Sequence, residues 1–143
     1  MSEFTINRHI ILPNDVQEVP QLAAFVDEVC EAAGADMSTA MSLNLALEEA
    51  VVNVMNYAYP AGTVGDVEID AQVHDSLMTF TVSDKGTPFD PTCVKEANTT
   101  LSAEDRPIGG LGIHLLRTIM DSISYAYVDG QNKLTMTKHL KKE

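Results

Sequence analysis

Basic residues are scarce in this chain. Nine Lys and Arg stand against 21 Asp and Glu, for a formal net charge of −12. A nucleic-acid-binding surface needs clustered Lys and Arg to neutralise phosphates, so the charge argues against that class of partner. It argues equally against an anionic membrane surface. Three of the nine, Lys138, Lys141 and Lys142, crowd the C-terminus, as in a solvated end. Cysteine is nearly absent. Cys30 and Cys93 lie far apart and match no metal-ligand spacing. Cys30 falls among Phe25, Val26 and Val29 and reads as a small core residue. No run of about 20 apolar residues offers a membrane span. No basic segment followed by a long apolar stretch resembles a secretory signal. The expected location is cytoplasmic. What is present suffices for one core: 143 residues, 45% of them hydrophobic, are expected to form a single domain over 1–143.

Periodicity places the elements. Phe4, Ile6, Ile10 and Leu12 fall at even positions and predict a first strand. Asn14 or Asp15 can cap a helix reaching Ala33, with Gly34 at its end. Asp36 or Ser38 can cap a second helix that carries Leu43, Leu47, Ala50 and Val54 inward and stops by Pro60 and Gly62. Val67, Ile69, Ala71 and Val73 alternate as a strand, and Leu77 to Val82 follows as another through Asp75-Ser76. Lys85 to Gly110 reads as a long loop, a length that compact domains keep for function. Leu111 to Met120 is then a helix, and Ser122 to Val128 and Lys133 to Leu140 form a strand pair. The order βααββ-loop-αββ predicts an α+β fold with helices on one face of a sheet.

Three segments carry chemistry. In Leu47-Glu48-Glu49-Ala50-Val51-Val52-Asn53, Glu49 and Asn53 stand four residues apart in an otherwise apolar run, so they share one helix face. Burying a carboxylate and an amide there costs several kcal/mol unless both are paired. A metal–nucleotide would meet them, the amide oxygen as a hard ligand and the carboxylate as a base. Glu48 is the competing carboxylate, about 100° around the helix, and only Glu49 has the i+4 relation to Asn53. In Val82-Ser83-Asp84-Lys85-Gly86-Thr87-Pro88-Phe89-Asp90-Pro91, a strand ends at an Asp and enters a Gly/Pro loop. In Arg106-Pro107-Ile108-Gly109-Gly110-Leu111-Gly112, glycines precede a helix and leave N–H groups free for an anion. Read singly, each also fits an ordinary turn or capped helix edge. Their order is the informative feature.

A Glu-xxx-Asn helix, then Asp-x-Gly at a strand end, then a Gly-x-Gly helix start resembles the nucleotide-binding boxes of the GHKL (histidine-kinase-like) ATPase superfamily. The short chain and the Phe89-Asp90-Pro91 tail look like its anti-sigma-factor serine/threonine kinases of the RsbW and SpoIIAB type. The resemblance spans about Leu12 to Leu140. It implies a two-layer α/β sandwich of the Bergerat type, helices on one face of a mixed, mostly antiparallel sheet, with an ATP lid at about 85–110. It implies ATP and Mg2+ as cofactors. By resemblance, Asn53 coordinates magnesium, Glu49 is the general base, and Asp84 accepts from the adenine amino group. Gly86 lets the chain approach the base. Gly110 and Gly112 direct N–H groups at phosphates, Gly109 is the lid hinge, and Arg106 meets a terminal phosphate or an acidic partner.

Asn56 and Tyr57 extend the polar stripe, with Tyr57 where the family often has His. His114 reads as a packing residue. Related kinases start the last strand with Gly-Thr, the Thr touching adenine; this strand reads Asn132-Lys133-Leu134-Thr135, leaving Thr135 as the candidate. The implied activity is transfer of the ATP γ-phosphoryl group to a Ser or Thr of a STAS-type antagonist, with a sigma factor as second partner and a homodimer as the usual state. Two other readings stand beside it. One is a non-catalytic ATP-binding sequestration module. The other is a detached sensor-kinase catalytic domain, disfavoured because neither of the first two helices carries a phosphoacceptor His.

Overall fold

A computed structural model describes residues 5–55, 65–86 and 110–140. The strands are β1 (Thr5–Pro13), β2 (Asp66–His74), β3 (Leu77–Asp84), β4 (Ser122–Val128) and β5 (Gln131–His139). The helices are α1 (Val19–Ala33), α2 (Met37–Asn53) and α3 (Gly110–Ile119). The expected order of elements is the observed one. The strands form one sheet in the order β1-β2-β3-β5-β4, antiparallel at every pairing among the described residues. Among those residues no helix is long and apolar enough to cross a membrane.

Alternation decides which face of the sheet is covered. Val67, Ile69, Ala71 and Val73 of β2 are buried, as are Met78, Phe80 and Val82 of β3 and Leu134 and Met136 of β5. They join Leu22, Val26, Val29, Leu43, Leu47 and Leu116 from the helices in one core. Cys30 lies in it too, as expected, and burial followed by the nearby Asp27 pushes its thiol up to about 11. The opposite face is polar and solvated, as antiparallel sheets allow. Thr79, Thr81, Thr135, Thr137, Ser122 and Ser124 line up across it by register.

Local chemistry fixes the element ends. Asp36 caps α2, its Oδ1 accepting from Thr39 N at 2.7 Å. Gly34 closes α1 in the left-handed conformation at φ 76°, which a side chain rarely adopts. Asp15, expected to cap α1, instead accepts from Gln17 N at 2.9 Å and holds a short 3-10 turn over Val16–Glu18. The α-helix proper starts at Val19, where Pro20 suits the first turn. Strand β5 starts at Gln131 rather than Lys133, because Asp129 (φ 55°) and Gly130 (φ 77°) alone make the hairpin turn. Strand β3 runs on to Asp84, two residues past the expected end. The stops at Pro60 and Gly62, and Cys93, lie outside the described residues.

Side chains sort cleanly around α2. Leu43, Ala46, Leu47, Ala50 and Val51 are buried, whereas Met37, Met41 and Leu45 are exposed. Leu47→Ala is expected to cost about 3 kcal/mol through transfer and cavity terms, and Met41→Ala less than about 0.5 kcal/mol. Denaturant midpoints measure both; equal losses would mean that α2 presents a different face to the sheet.

Candidate functional site

Because α2 buries one sector, a second sector faces sideways along the helical layer. Glu49 and Asn53 lie there, both half-buried. Asn53 Nδ2 donates to Glu49 Oε2 at 3.1 Å. The bond fixes the carboxylate and leaves the amide Oδ1 as a hard oxygen donor. Asn53 is the last residue of α2, and the backbone widens into a π turn at Val54–Met55. Such widening recurs at functional positions. Glu48 is exposed and lies on another sector, with Met41 and Leu45.

Asp84 ends the buried row of β3 and points to the helix-covered face, 5% exposed. Its Oδ1 accepts two bonds, from Gly86 N at 2.8 Å and from Asn132 Nδ2 at 2.9 Å. The first closes a tight turn that brings Gly86 back over the strand end. The second comes from the register of β5, where Asn132 is the direct partner of Asp84. Asn132 Nδ2 also reaches Gly86 O at 3.4 Å, and Tyr125 OH donates to Asn132 Oδ1. Tyr125, Asn132, Asp84 and Gly86 thus form one connected set. Burial raises the Asp84 carboxyl above its ordinary range, and the bonds from Asn132 and Gly86 pull it back in part.

The site residues read from the sequence divide three ways. Glu49 with Asn53, and Asp84 with Gly86, are brought together in pairs. Gly110 and Gly112 stand in the first turn of α3, whose initial N–H groups have no partner inside the helix. Helix α3 packs against α2. Thr135 is carried elsewhere. Strand parity turns Asn132, Leu134 and Met136 inward and sets Thr135 between Thr81 and Ser124 on the open face. Asn132 occupies the position beside Asp84 that Thr135 was expected to serve. Only the pairing of strands 48 residues apart reveals it. Arg106 and Gly109, most of the 85–110 segment, Asn56 and Tyr57 lie outside the described residues, as does the side chain of His114.

The donor set fits magnesium. Asn53 Oδ1 and the Glu49 carboxylate are hard oxygens on one helix face. The buried Asp84 carboxylate fits an amino-bearing base, and a helix N-terminus fits phosphate. A sequence model of the histidine kinase-like ATPase domain matches residues 12–138. The chain belongs to that family. It is 30% identical to a serine/threonine-protein kinase, BtrW, of Bordetella bronchiseptica, covering 68% of this chain and 69% of the relative. It is 27% identical to the serine-protein kinase RsbW of Staphylococcus aureus, over 92% of this chain and 86% of the relative. In fold it is similar to the solved RsbU and RsbW domains of Rv1364c from Mycobacterium tuberculosis, with a TM-score of 0.70 and 18% identity. That match covers 96% of this chain and 33% of the longer one.

The Asp84 set makes a prediction that needs no ligand. The carboxyl carbon of Asp84, followed by NMR, should titrate above the range of an ordinary Asp. In Asn132→Leu the opposing bond is gone and burial remains, so the midpoint should move higher still. A midpoint that falls in the variant would mean that the Asn132 bond does not hold the carboxyl down.

Proposed function

We propose that this protein is an ATP-dependent serine/threonine kinase that phosphorylates a STAS-type antagonist protein and, as its second role, holds a sigma factor inactive. The reading rests above all on Glu49, a half-buried carboxylate fixed by the Asn53 amide on the sideways face of α2. Membership of the histidine kinase-like ATPase family and the serine-protein kinase relatives support it. The protein works in the cytoplasm, as a homodimer.

Each residue has a role. Asp84 accepts from the adenine amino group, a choice against guanine, and Asn132 holds its carboxylate in place. Gly86 lets the backbone lie close to the base. Gly110 and Gly112 offer N–H groups to the phosphates, with Gly109 as hinge and Arg106 as the cation for the terminal phosphate. Asn53 would hold Mg2+, which neutralises phosphate charge. Glu49 takes the proton of the acceptor Ser or Thr hydroxyl as its oxygen bonds to the γ-phosphorus. The bond from that phosphorus to the β–γ bridging oxygen breaks, and ADP leaves with the electron pair. Positioning and charge neutralisation supply most of the rate.

The test separates kinase from binder. Glu49→Gln keeps shape and hydrogen bonding but is a poor proton acceptor. It should leave Mg-ATP affinity nearly unchanged and slow labelled phosphoryl transfer to the antagonist by about 10²-fold or more. Asn53→Ala should weaken Mg-ATP binding itself. A parent protein that binds ATP and a sigma factor yet transfers no phosphate to any antagonist would contradict the kinase reading. Loss of transfer in Glu48→Gln with Glu49→Gln active would move the base to the neighbouring residue.

A further inference from the structure

The third sector of α2 is neither core nor site. Met37, Met41 and Leu45 recur every fourth residue there and are 79%, 68% and 49% exposed. Large apolar side chains aligned along one helix face are uncommon on a solvated surface unless something covers them. Met41 and Leu45 form one wall of a groove of about 420 Å³ between α2 and α1, whose floor and opposite wall are Val19, Leu22 and Ala23. Asp27 and Glu48 stand in the same groove and make it acidic as well as apolar. Asp27 Oδ1 is tied by Asn44 Nδ2 at 2.8 Å across the two helices. That bond ties α1 to α2 at the groove.

We propose that this groove docks an amphipathic helix of a partner protein, with an apolar stripe that seats between α1 and α2 and Lys or Arg on its flanks. The apolar floor bordered by carboxylates sets that chemistry. A helix laid in a groove presents anchors at i, i+3, i+4 and i+7, which matches the four-residue repeat of the wall. Unbranched Met side chains adapt to such anchors. Charge argues against a second copy as occupant. This chain carries −12 overall, and α1 and α2 contain no Lys or Arg. Face-to-face contact through the groove would therefore bring carboxylates together. The groove and the Glu49–Asn53 pair sit on different sectors of one helix, so docking leaves the proposed nucleotide site open.

A short synthetic helix with Leu along one face and Lys on both flanks is the probe. A scrambled peptide of the same composition and a Leu/Glu counterpart are its controls. Fluorescence anisotropy at physiological salt should show binding of the Leu/Lys helix well above both controls. The double variant Met41→Ser/Leu45→Ser, in which both changed positions are solvent-facing, should weaken it at least about tenfold. Ile11→Ser, at an exposed apolar residue on the sheet, should leave it unchanged. Amide shifts on addition of the peptide should concentrate in α1 and α2. Equal binding of the scrambled peptide, or equal binding by the double variant, would overturn the proposal. So would a parent dimer that dissociates in the double variant, which would assign the groove to a second copy. Mg-ATP affinity of the same variants reports separately on the phosphoryl-transfer reading, so either can fail alone.

Discussion

The 3.6-residue period of α2 is the constraint on which the rest of the structure depends. Seventeen residues, Met37–Asn53, serve three surfaces at once. Leu43, Ala46, Leu47, Ala50 and Val51 anchor the helix to the sheet. With that sector fixed, Glu49 and Asn53 have to face sideways and Met41, Leu45 and Glu48 outward. A rotation of one residue, about 100°, would bury Glu48 in the place of Leu47 and expose Ala46 in the place of Leu45. Burying an unpaired carboxylate costs several kcal/mol, so the apolar sector also enforces the chemistry of the other two.

The sheet supplies the second half of the site by register. Because β3 and β5 pair antiparallel with Asp84 opposite Asn132, a buried carboxylate meets a buried amide at the strand ends. Without its donors the carboxylate would be an uncompensated buried charge. With them it stays a fixed acceptor at the edge of the core. The protein as a whole is acidic, so an anionic ligand gains little from long-range charge. In the proposed reading, phosphates are therefore held by backbone N–H groups at the start of α3, by a metal on the hard oxygen at the end of α2 and by Arg106.

Most of the fold was legible from local pattern. The alternation of Val67, Ile69, Ala71 and Val73, the cap at Asp36 and the glycine at 34 are short-range signals that physics reads the same way in sequence and in structure. Asp15 accepts at the start of the helical run as its sequence suggests, but the run opens as a tighter 3-10 turn and the α-helix proper begins at Val19. In the candidate site, Glu49 and Asn53 were visible because i and i+4 always share a face. Asn132 was not, since its meaning comes only from a strand pairing across 48 residues. The same pairing explains Thr135: one residue of parity sends it to the open face. Met37 and Met41 carry no signal in the sequence that separates an exposed apolar face from a buried one. Their exposure in the folded chain places them outside the core.

The central claim is that the sideways face of α2 and the end of β3 belong to one nucleotide site. A crystal structure with Mg2+ and a non-hydrolysable ATP analogue tests it most directly. The account predicts Mg2+ about 2.1 Å from Asn53 Oδ1 and the adenine amino group about 3 Å from an Asp84 carboxylate oxygen. A nucleotide seated instead in the concavity on the open sheet face, among Asn7, His9, Asp70, Thr81 and Lys133, would contradict it.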